Sequence, residues 1–585
     1  MSSVDFEPRP VAGPVGDPGS VIAVPDATPA TDTARPGLRP VSTTAYPLSR
    51  LVDVLGARLP VAVAGSGSGD DAVAATSVTG VAFDSRSVRP GDLYVGLPGA
   101  KTHGARFVPA VLESSAAAVL TDTAGADLLQ DTEFLGGRLP VPLLVVDDPR
   151  QAMAAAAAEV YGRPATKLTM LGVTGTNGKT TTSYLLAAGL RAAGQRFGVI
   201  GTMGYFLDDE EIAADRTTIT TPESPDLQAL LAIMVERGAQ SVVMEVSSHA
   251  LTLGRADEVV FDVAGFTNLG RDHLDFHGTV EAYFEAKAVL FTAARARAAV
   301  INIDDPRGPE LVARADRDGL SVVTTSLAGA SADGDHDHFR CLGFDQTADP
   351  MAVRVGTSQA ELDFRLGLPG SYNVANALTA LAMLQLAGID LPTAAAGLAT
   401  ASVPGRLQRV DLGPAAPRAF VDFAHTPQAI ASVLSELRAT LDRVPPDGPE
   451  TAEVPRLICV VGCGGDRDPA KRGPMGATAA ELADLVIITD DNPRTEDPAA
   501  IRAAALAGAR EQAARQSRTV TVLDGGERSA AIRTALGQAR PEDVIALLGK
   551  GHERGQEIAG RVLPFDDVEQ LATRWRDIRD SGKQA

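Results

Sequence analysis

The sequence predicts an α/β protein of three domains, with a central phosphate-loop domain built on a parallel sheet. Three observations predict it. Short apolar runs alternate with longer helical stretches over most of the chain, as in parallel strands joined by crossover helices. A glycine-rich turn ending in Gly178-Lys179-Thr180 links one such run to a helical stretch. The chain has 585 residues, too many for one hydrophobic core and suited to about three.

Residues 1–46 are rich in Pro, Gly, Ala, Thr and Asp without an apolar period, so a disordered arm is expected there. The first domain is expected over 47–163, with short strands at Val81–Phe83, Leu93–Val95, Ala116–Leu120 and Leu143–Val146. The central domain is expected over 164–403. Leu168–Leu171 reads as the strand entering the glycine-rich turn, and Ser183–Leu190 as an amphipathic helix leaving it. Phe197–Ile200, Ser241–Met244, Val263–Phe266 and Ala299–Ile301 continue the alternation as apolar runs suited to strands buried on both faces. Pro404-Gly405 marks the next boundary. The third domain, 404–585, is expected to be Rossmann-like, with strands at Ala419–Val421, Leu457–Val461, Leu485–Ile488 and Val544–Leu548. Pro445–Pro455 is polar and proline-rich and reads as a surface loop.

The formal charge of −21 disfavours nucleic acid as a partner, because phosphate backbones select Lys and Arg. Local cations can still draw an anionic small ligand into one cleft. No apolar run is long enough to span a membrane, and no secretory signal pattern opens the chain. Cys341, Cys459 and Cys463 fit neither a disulfide framework nor a four-ligand zinc site. A monomeric cytoplasmic protein without nucleic-acid or membrane partners is expected.

Gly175, Thr176, Asn177, Gly178, Lys179, Thr180 and Thr181 have the arrangement that cradles polyphosphate. Backbone N–H groups of the turn and of the following helix face the anion. Lys179 is placed to reach the outer phosphates, and the Thr180 hydroxyl to ligate Mg²⁺. Three polar clusters follow expected strands, where open parallel sheets bind their ligands: Met244–His249, Thr267–His273 and Asp422–Pro427. Beside the loop, they suggest a Mg²⁺-nucleotide site with hard oxygen ligands and some imidazole.

This combination resembles the Mur ligases, the ATP-dependent amino-acid-adding enzymes of bacterial cell-wall precursor synthesis, in their actinobacterial form. The resemblance runs from about Pro47 to the C-terminus. The family loop, Thr-Gly-Thr-x-Gly-Lys-Thr, is matched by Thr174–Thr180, which accounts for Val173 where the general pattern has glycine. The resemblance implies domains that bind UDP, ATP and an amino acid in turn. It implies that ATP phosphorylates the acceptor carboxylate and that an amine displaces phosphate from the acyl phosphate. By resemblance, Lys179 contacts the β- and γ-phosphates, Thr180 and Glu245 hold one Mg²⁺, and His273 helps to hold a second. Lys287 matches a lysine that the family carries carbamylated, which would convert a cation into an anionic oxygen ligand. Asn373 and Asn376 match adenine-side contacts. Arg406, Asp422 and His425 match residues that approach ATP when the third domain closes, with Phe423 where the family often has Tyr. Phe83, Ser85 and the loop Ala100, Lys101, Thr102 resemble the UDP-binding signature. Thr220, Thr221, Ser247 and Arg255 match contacts to the UDP-N-acetylmuramoyl dipeptide acceptor.

Asp491, Asn492, Pro493 and Arg494 form the tetrapeptide that the family associates with meso-diaminopimelate. The charge argument agrees. Diaminopimelate carries a second carboxylate at the end where lysine carries only an ammonium, and a guanidinium grips a carboxylate through two N–H groups. Arg467 supplies another cation, while the Gly549 carbonyl and the Glu553 carboxylate match contacts to the far amino group. The expected activity is ATP- and Mg²⁺-dependent addition of meso-diaminopimelate to UDP-N-acetylmuramoyl-L-alanyl-D-glutamate in peptidoglycan precursor synthesis. Two alternatives stay open. A folylpolyglutamate synthase-like ligase would lack the first domain and the Asp-Asn-Pro-Arg motif. A non-catalytic nucleotide-binding scaffold would not need Lys179, Glu245, His273 and Lys287 intact.

Overall fold

The structure is a computed structural model that describes residues 38–59, 69–130, 139–214, 220–329, 336–345, 350–413, 415–442 and 454–582. Residues 1–37 of the expected arm and 445–453 of the expected surface loop lie outside the described residues. The chain forms two compact units, Met1–Leu342 with Arg354–Phe364 and Ala375–Thr400, and Gly343–Val353 with Arg365–Val374 and Ala401–Ala585.

The first unit contains a four-stranded sheet in the order Gly80–Ala82, Asp92–Gly96, Ala118–Thr121, Leu143–Val145, all parallel. Phe83, Ala116, Ala117 and Val146, expected in these strands, fall just outside them. Residues 38–40 pack against the unit, and the exposed 41–42 are tied to it through their main chain. Leu38 is buried in the core, Arg39 pairs with Asp92 at 2.6 Å, and the Val41 and Ser42 N–H groups donate to the Glu236 carboxylate. These are long-range contacts of isolated residues, which leave no local period in the sequence.

An eleven-stranded sheet follows, in the order Glu210–Glu211, Gly204–Leu207, Phe197–Gly201, Ser241–Glu245, Thr169–Thr174, Phe261–Phe266, Ala296–Asn302, Ser321–Ser326, Asp337–Asp345, Met351–Gly356, Glu361–Leu366. The stretch from Phe197–Gly201 through Ser321–Ser326 is parallel. The helix Lys179–Ala192 corrects the amphipathic reading, since every residue from Thr180 to Leu190 is buried. It has no solvent face because other helices of the unit cover it. Gly189 meets Leu384, and a side chain at Gly397 would stand 2.4 Å from the Ala188 carbonyl.

The second unit is built on a six-stranded sheet in the order Gln408–Val410, Arg418–Asp422, Val544–Leu548, Leu457–Cys463, Leu485–Asp490, Thr521–Gly526. Only Gln408–Val410 runs antiparallel. All seven residues of Leu457–Cys463 are buried, as a strand covered by helices on both faces requires. The helix Asp567–Gly582 is tied to this sheet by a fully buried ion pair. Arg528 donates to both Asp567 oxygens at 2.8 and 2.6 Å and to the Leu548 carbonyl at 3.1 Å.

Removing one partner of such a pair leaves an uncompensated buried charge and costs about 3–5 kcal/mol. Asp567→Ala should lower the urea midpoint of this unit, followed by fluorescence of Trp575, the single tryptophan, which lies in the same helix. Arg528→Met with Asp567→Leu should recover most of the loss. An unchanged midpoint in Asp567→Ala would show that the pair carries no stability.

Candidate active site

Strand order brings the polar clusters of the first unit together. Thr169–Thr174 lies between Ser241–Glu245 and Phe261–Phe266, with Glu245 beside Val173 and Phe266 beside Thr174. Their carboxyl ends therefore deliver the 175–178 turn, Glu245 and the 267–273 segment to one edge. This is the edge where parallel sheets bind ligands.

The turn requires its glycines. Gly175 has φ +150° and Gly178 φ +87°, and a Cβ on Gly175 would lie 1.9 Å from the Thr267 hydroxyl. Asn268 braces the turn from the next strand. Its side-chain oxygen accepts from the Asn177 N–H at 2.9 Å, and its carbonyl accepts from the Thr176 N–H at 2.8 Å. Gly178 also lies against Asn376, whose Oδ1 would stand 2.4 Å from a side chain there. Thr181 is buried in the first turn of the helix.

Lys179 folds back over the turn and donates to the carbonyls of Gly175 and Thr176, each at 2.9 Å. Lys287 donates to the same Gly175 carbonyl at 2.8 Å. It is 1% exposed, and its Nζ lies 4.4 Å from the centre of the Tyr283 ring. Burial, reinforced by the Lys179 charge, holds the Lys287 ammonium well below its ordinary pKa. Burial also lowers the imidazole of His273, which sits in left-handed backbone with φ +53°. The ring of His249 lies 4.7 Å from that of His273.

Glu245 is buried at the end of its strand and collects donors. The Thr180 hydroxyl donates to Oε2 at 3.0 Å, the Thr202 N–H to Oε1 at 3.0 Å and the Thr202 hydroxyl to Oε2 at 3.1 Å. Thr202 was not anticipated from the sequence, because it lies in no motif and reaches Glu245 only through strand pairing. On the other side, the Thr221 hydroxyl donates to the Glu245 carbonyl at 2.9 Å and accepts from the Ser247 N–H at 3.1 Å. The Thr220 and Thr202 hydroxyls are 3.2 Å apart. Arg255 and Arg150 both bind Glu223, each at 2.8 Å. Glu223 and Arg150 were also missed, although Glu223 directly follows the Thr220-Thr221-Pro222 motif.

In the four-stranded sheet's loops, Phe83 and Ser85 are half-buried, and Ala100, Lys101 and Thr102 are exposed. Asp84 caps the short turn at Ser85–Ser87 and pairs with Arg86, which lowers the Asp84 carboxyl below its usual range.

In the second unit, Asp422 is buried and accepts from the Leu407 N–H at 2.6 Å and the Ala424 N–H at 2.7 Å. Burial raises its pKa. The Phe423 ring is a platform, with the Arg406 guanidinium 4.7 Å from its centre and His425 and His552 at 4.7 and 5.2 Å. Asn373 donates to the Pro369 carbonyl at 2.6 Å.

Leu457–Cys463 lies between Leu485–Asp490 and Val544–Leu548, so the loops 464–468, 491–494 and 549–553 meet at one end of this sheet. Gly464 has Arg494 on one side and Arg467 on the other. A Cβ there would stand 3.1 Å from Arg494 Nη1 and 3.9 Å from Arg467 Cγ. Arg494 donates to the Gly465 carbonyl at 2.6 Å and to Glu557 at 3.2 Å. Its φ of +52° is held by the strand Gly555–Ile558, which bonds the residue through Glu557 and Ala559. Asn492 Nδ2 donates to Glu553 at 2.8 Å. The side chain of Asp491 approaches Gly549, whose φ is +114°. Of the nine non-glycine residues with positive φ among the described residues, His273, Leu407, Asp466 and Arg494 lie at or beside expected site residues.

Family models match three segments: the Mur ligase family catalytic domain over residues 77–161, the Mur ligase middle domain over 173–384, and the Mur ligase glutamate ligase domain over 405–551. The UDP-N-acetylmuramoyl-L-alanyl-D-glutamate–2,6-diaminopimelate ligase of Streptomyces avermitilis is 46% identical over 525 residues, covering 89% of this chain and 94% of that protein. The protein of the same description from Streptomyces coelicolor is 46% identical over 527 residues, covering 90% of this chain and 95% of its own. A solved structure described as a UDP-N-acetylmuramoyl-L-alanyl-D-glutamate–2,6-diaminopimelate ligase superposes with a TM-score of 0.61 at 29% identity, covering 92% of this chain and all of that one. A phosphate loop braced by neighbouring strands, three matched segments and this degree of identity lead to one conclusion: the chain belongs to the Mur ligase family.

Proposed function

We propose that this chain is an ATP-dependent ligase that joins meso-diaminopimelate to UDP-N-acetylmuramoyl-L-alanyl-D-glutamate, forming ADP and phosphate in peptidoglycan precursor synthesis. The observation that carries the amino-acid choice is the rim of the second unit. There the loops that carry Arg467, Arg494, Asp491 and Glu553 share one end of the sheet, and the Arg494 guanidinium and the Arg467 stem both lie near Gly464. An amino acid whose far end bears both a carboxylate and an ammonium needs both signs of charge. Asp491 Oδ1 is a buried carboxylate oxygen that makes no hydrogen bond among the described residues and whose charge is met by Lys550 Nζ at 3.5 Å.

In this reading the segments 47–163, 164–403 and 404–585 bind UDP, ATP and the amino acid in turn, in the cytoplasm. Phe83, Ser85 and the 100–102 loop take the UDP end of the acceptor. Thr220, Thr221, Ser247 and Arg255 hold its peptide, with Glu223 orienting Arg255. The γ-phosphoryl group passes to an acceptor carboxylate oxygen, releasing ADP and leaving an acyl phosphate. The uncharged amine of diaminopimelate then attacks the carbonyl carbon, the bond to phosphate breaks, and the amide forms with loss of a proton from nitrogen. Little covalent work falls to the protein, whose task is placement and charge neutralisation. The Gly175–Thr181 turn offers main-chain N–H groups to the phosphates, and Lys179 leaves the loop carbonyls to follow them. Asn373, Asn376, Arg406, Asp422 and His425 serve the nucleotide.

Mg²⁺ fits the residues present, because Thr180 and Glu245 offer hard oxygens 3.0 Å apart in a buried setting. When bound, it would neutralise phosphate charge, with His273 and carbamylated Lys287 as further holders. Carbamylation begins from a free amine, and burial, which lowers the Lys287 pKa, favours that form.

Phosphate release should require ATP, acceptor dipeptide and meso-diaminopimelate together, with L-lysine at least about a hundredfold poorer by kcat/KM. Equal turnover with L-lysine would reject the amino-acid assignment. Lys287→Ala should lower kcat by roughly a hundredfold or more and regain part of it with short carboxylates. Full activity in Lys287→Ala would remove the residue from the mechanism.

A further inference from the structure

Lys550 is a lysine with no surface exposure, lodged inside the rim described above. Four oxygens surround its Nζ: the Gly555 carbonyl at 2.7 Å, Asn492 Oδ1 at 3.0 Å, Glu553 Oε2 at 3.3 Å and Asp491 Oδ1 at 3.5 Å. Three of them belong to side chains assigned to the amino-acid substrate. A buried ammonium needs such a cage, since burying a charge without partners is costly.

The cage also fixes what those side chains can do. Asn492 Oδ1 accepts from Lys550 and from the Glu557 N–H at 3.0 Å, so the amide has one orientation. Its Nδ2 then faces Glu553 Oε2 at 2.8 Å. Lys550 and Asn492 both bind Glu553 through Oε2, which leaves Oε1 of this partly exposed carboxylate without a bond among the described residues. Gln556 Nε2 donates to the backbone carbonyl of Asp491 at 2.7 Å and holds the main chain there in place. The fixed cation offsets part of the negative charge of Asp491 and Glu553. Without it the rim would favour a lone ammonium over a paired carboxylate and ammonium.

We propose that Lys550 is a specificity-determining positioning residue, an internal counter-cation that presents Asn492 and Glu553 to the far end of the amino acid and biases the rim toward diaminopimelate over lysine. This rests on the amino-acid assignment above. Lys550 touches its neighbours rather than substrate, so its effect should appear in amino-acid recognition and not in nucleotide or acceptor binding.

Steady-state kinetics of the full chain carrying Lys550→Met test it. The KM for meso-diaminopimelate should rise about tenfold or more, while those for ATP and the acceptor dipeptide change less than about twofold. The preference for meso-diaminopimelate over L-lysine, as a ratio of kcat/KM, should fall about tenfold or more. A general structural defect would leave that ratio unchanged. If Lys550→Met does not fold, Lys550→Gln, which keeps N–H donors inside the cage, carries the same test with the same expected directions. An unaltered diaminopimelate KM, or an equal rise in all three KM values at constant preference, would overturn the inference. Wild-type protein that ignores diaminopimelate would instead overturn the amino-acid assignment itself.

Discussion

Two lysine side chains end on one carbonyl oxygen at the head of the phosphate loop. Lys179 and Lys287 both donate to Gly175, one at 2.9 Å and the other at 2.8 Å. Two unit charges about 5 Å apart repel by roughly 3 kcal/mol even at an effective dielectric near 20. Lys287 is buried besides, so the arrangement selects against its ammonium form. Lys179 is the partly buried member and the one able to follow a phosphate outward. On the proposed reading, carbamylation of Lys287 replaces this repulsion with attraction and adds an oxygen ligand at the site's edge. The remaining parts of the proposed nucleotide site are arranged around that pair: Thr180 on Glu245, and Asn268 bracing Thr176 and Asn177.

The same construction serves both units. In each, a loop at the carboxyl end of an inner strand is flanked by loops from the strands paired on either side. Parallel pairing fixes the depth of each loop, so Glu245 beside Val173, and Cys463 beside Asp490, follow from register. Left-handed backbone at His273 and Arg494 re-aims chains at these ends, a local cost that surrounding hydrogen bonds sustain. In the second unit the fully buried Arg528–Asp567 pair anchors the end of Val544–Leu548, the strand that carries the 549–553 loop.

Much of this was legible in the sequence, for physical reasons. Strands buried on both faces are apolar without interruption, so Leu457–Val461 and Val544–Leu548 could be read directly. The phosphate loop is local, and its glycines announce backbone that other residues rarely adopt. Burial of the helix after the loop was not legible, because its first residues, Thr180–Ser183, are polar and its cover comes from distant helices. Thr202, Glu223 and Arg150 were likewise hidden as site members, since each acts through a partner far along the chain. Lys550 lay within a recognised segment, Gly549–Glu553, yet its role emerges only when Asn492 and Asp491 close around it. Leu38 and Arg39 show the same limit, as single buried residues inside a stretch whose composition suggests disorder.

Burial and the Lys179 charge disfavour the ammonium form of Lys287, and the proposed mechanism requires this amine to take up carbon dioxide. Carbon-13 NMR of the protein equilibrated with labelled bicarbonate near neutral pH tests this directly. A carbamate carbonyl resonance that appears in the wild-type chain and is missing from Lys287→Ala is the predicted result. Absence of that resonance from wild-type protein at saturating bicarbonate would contradict the account.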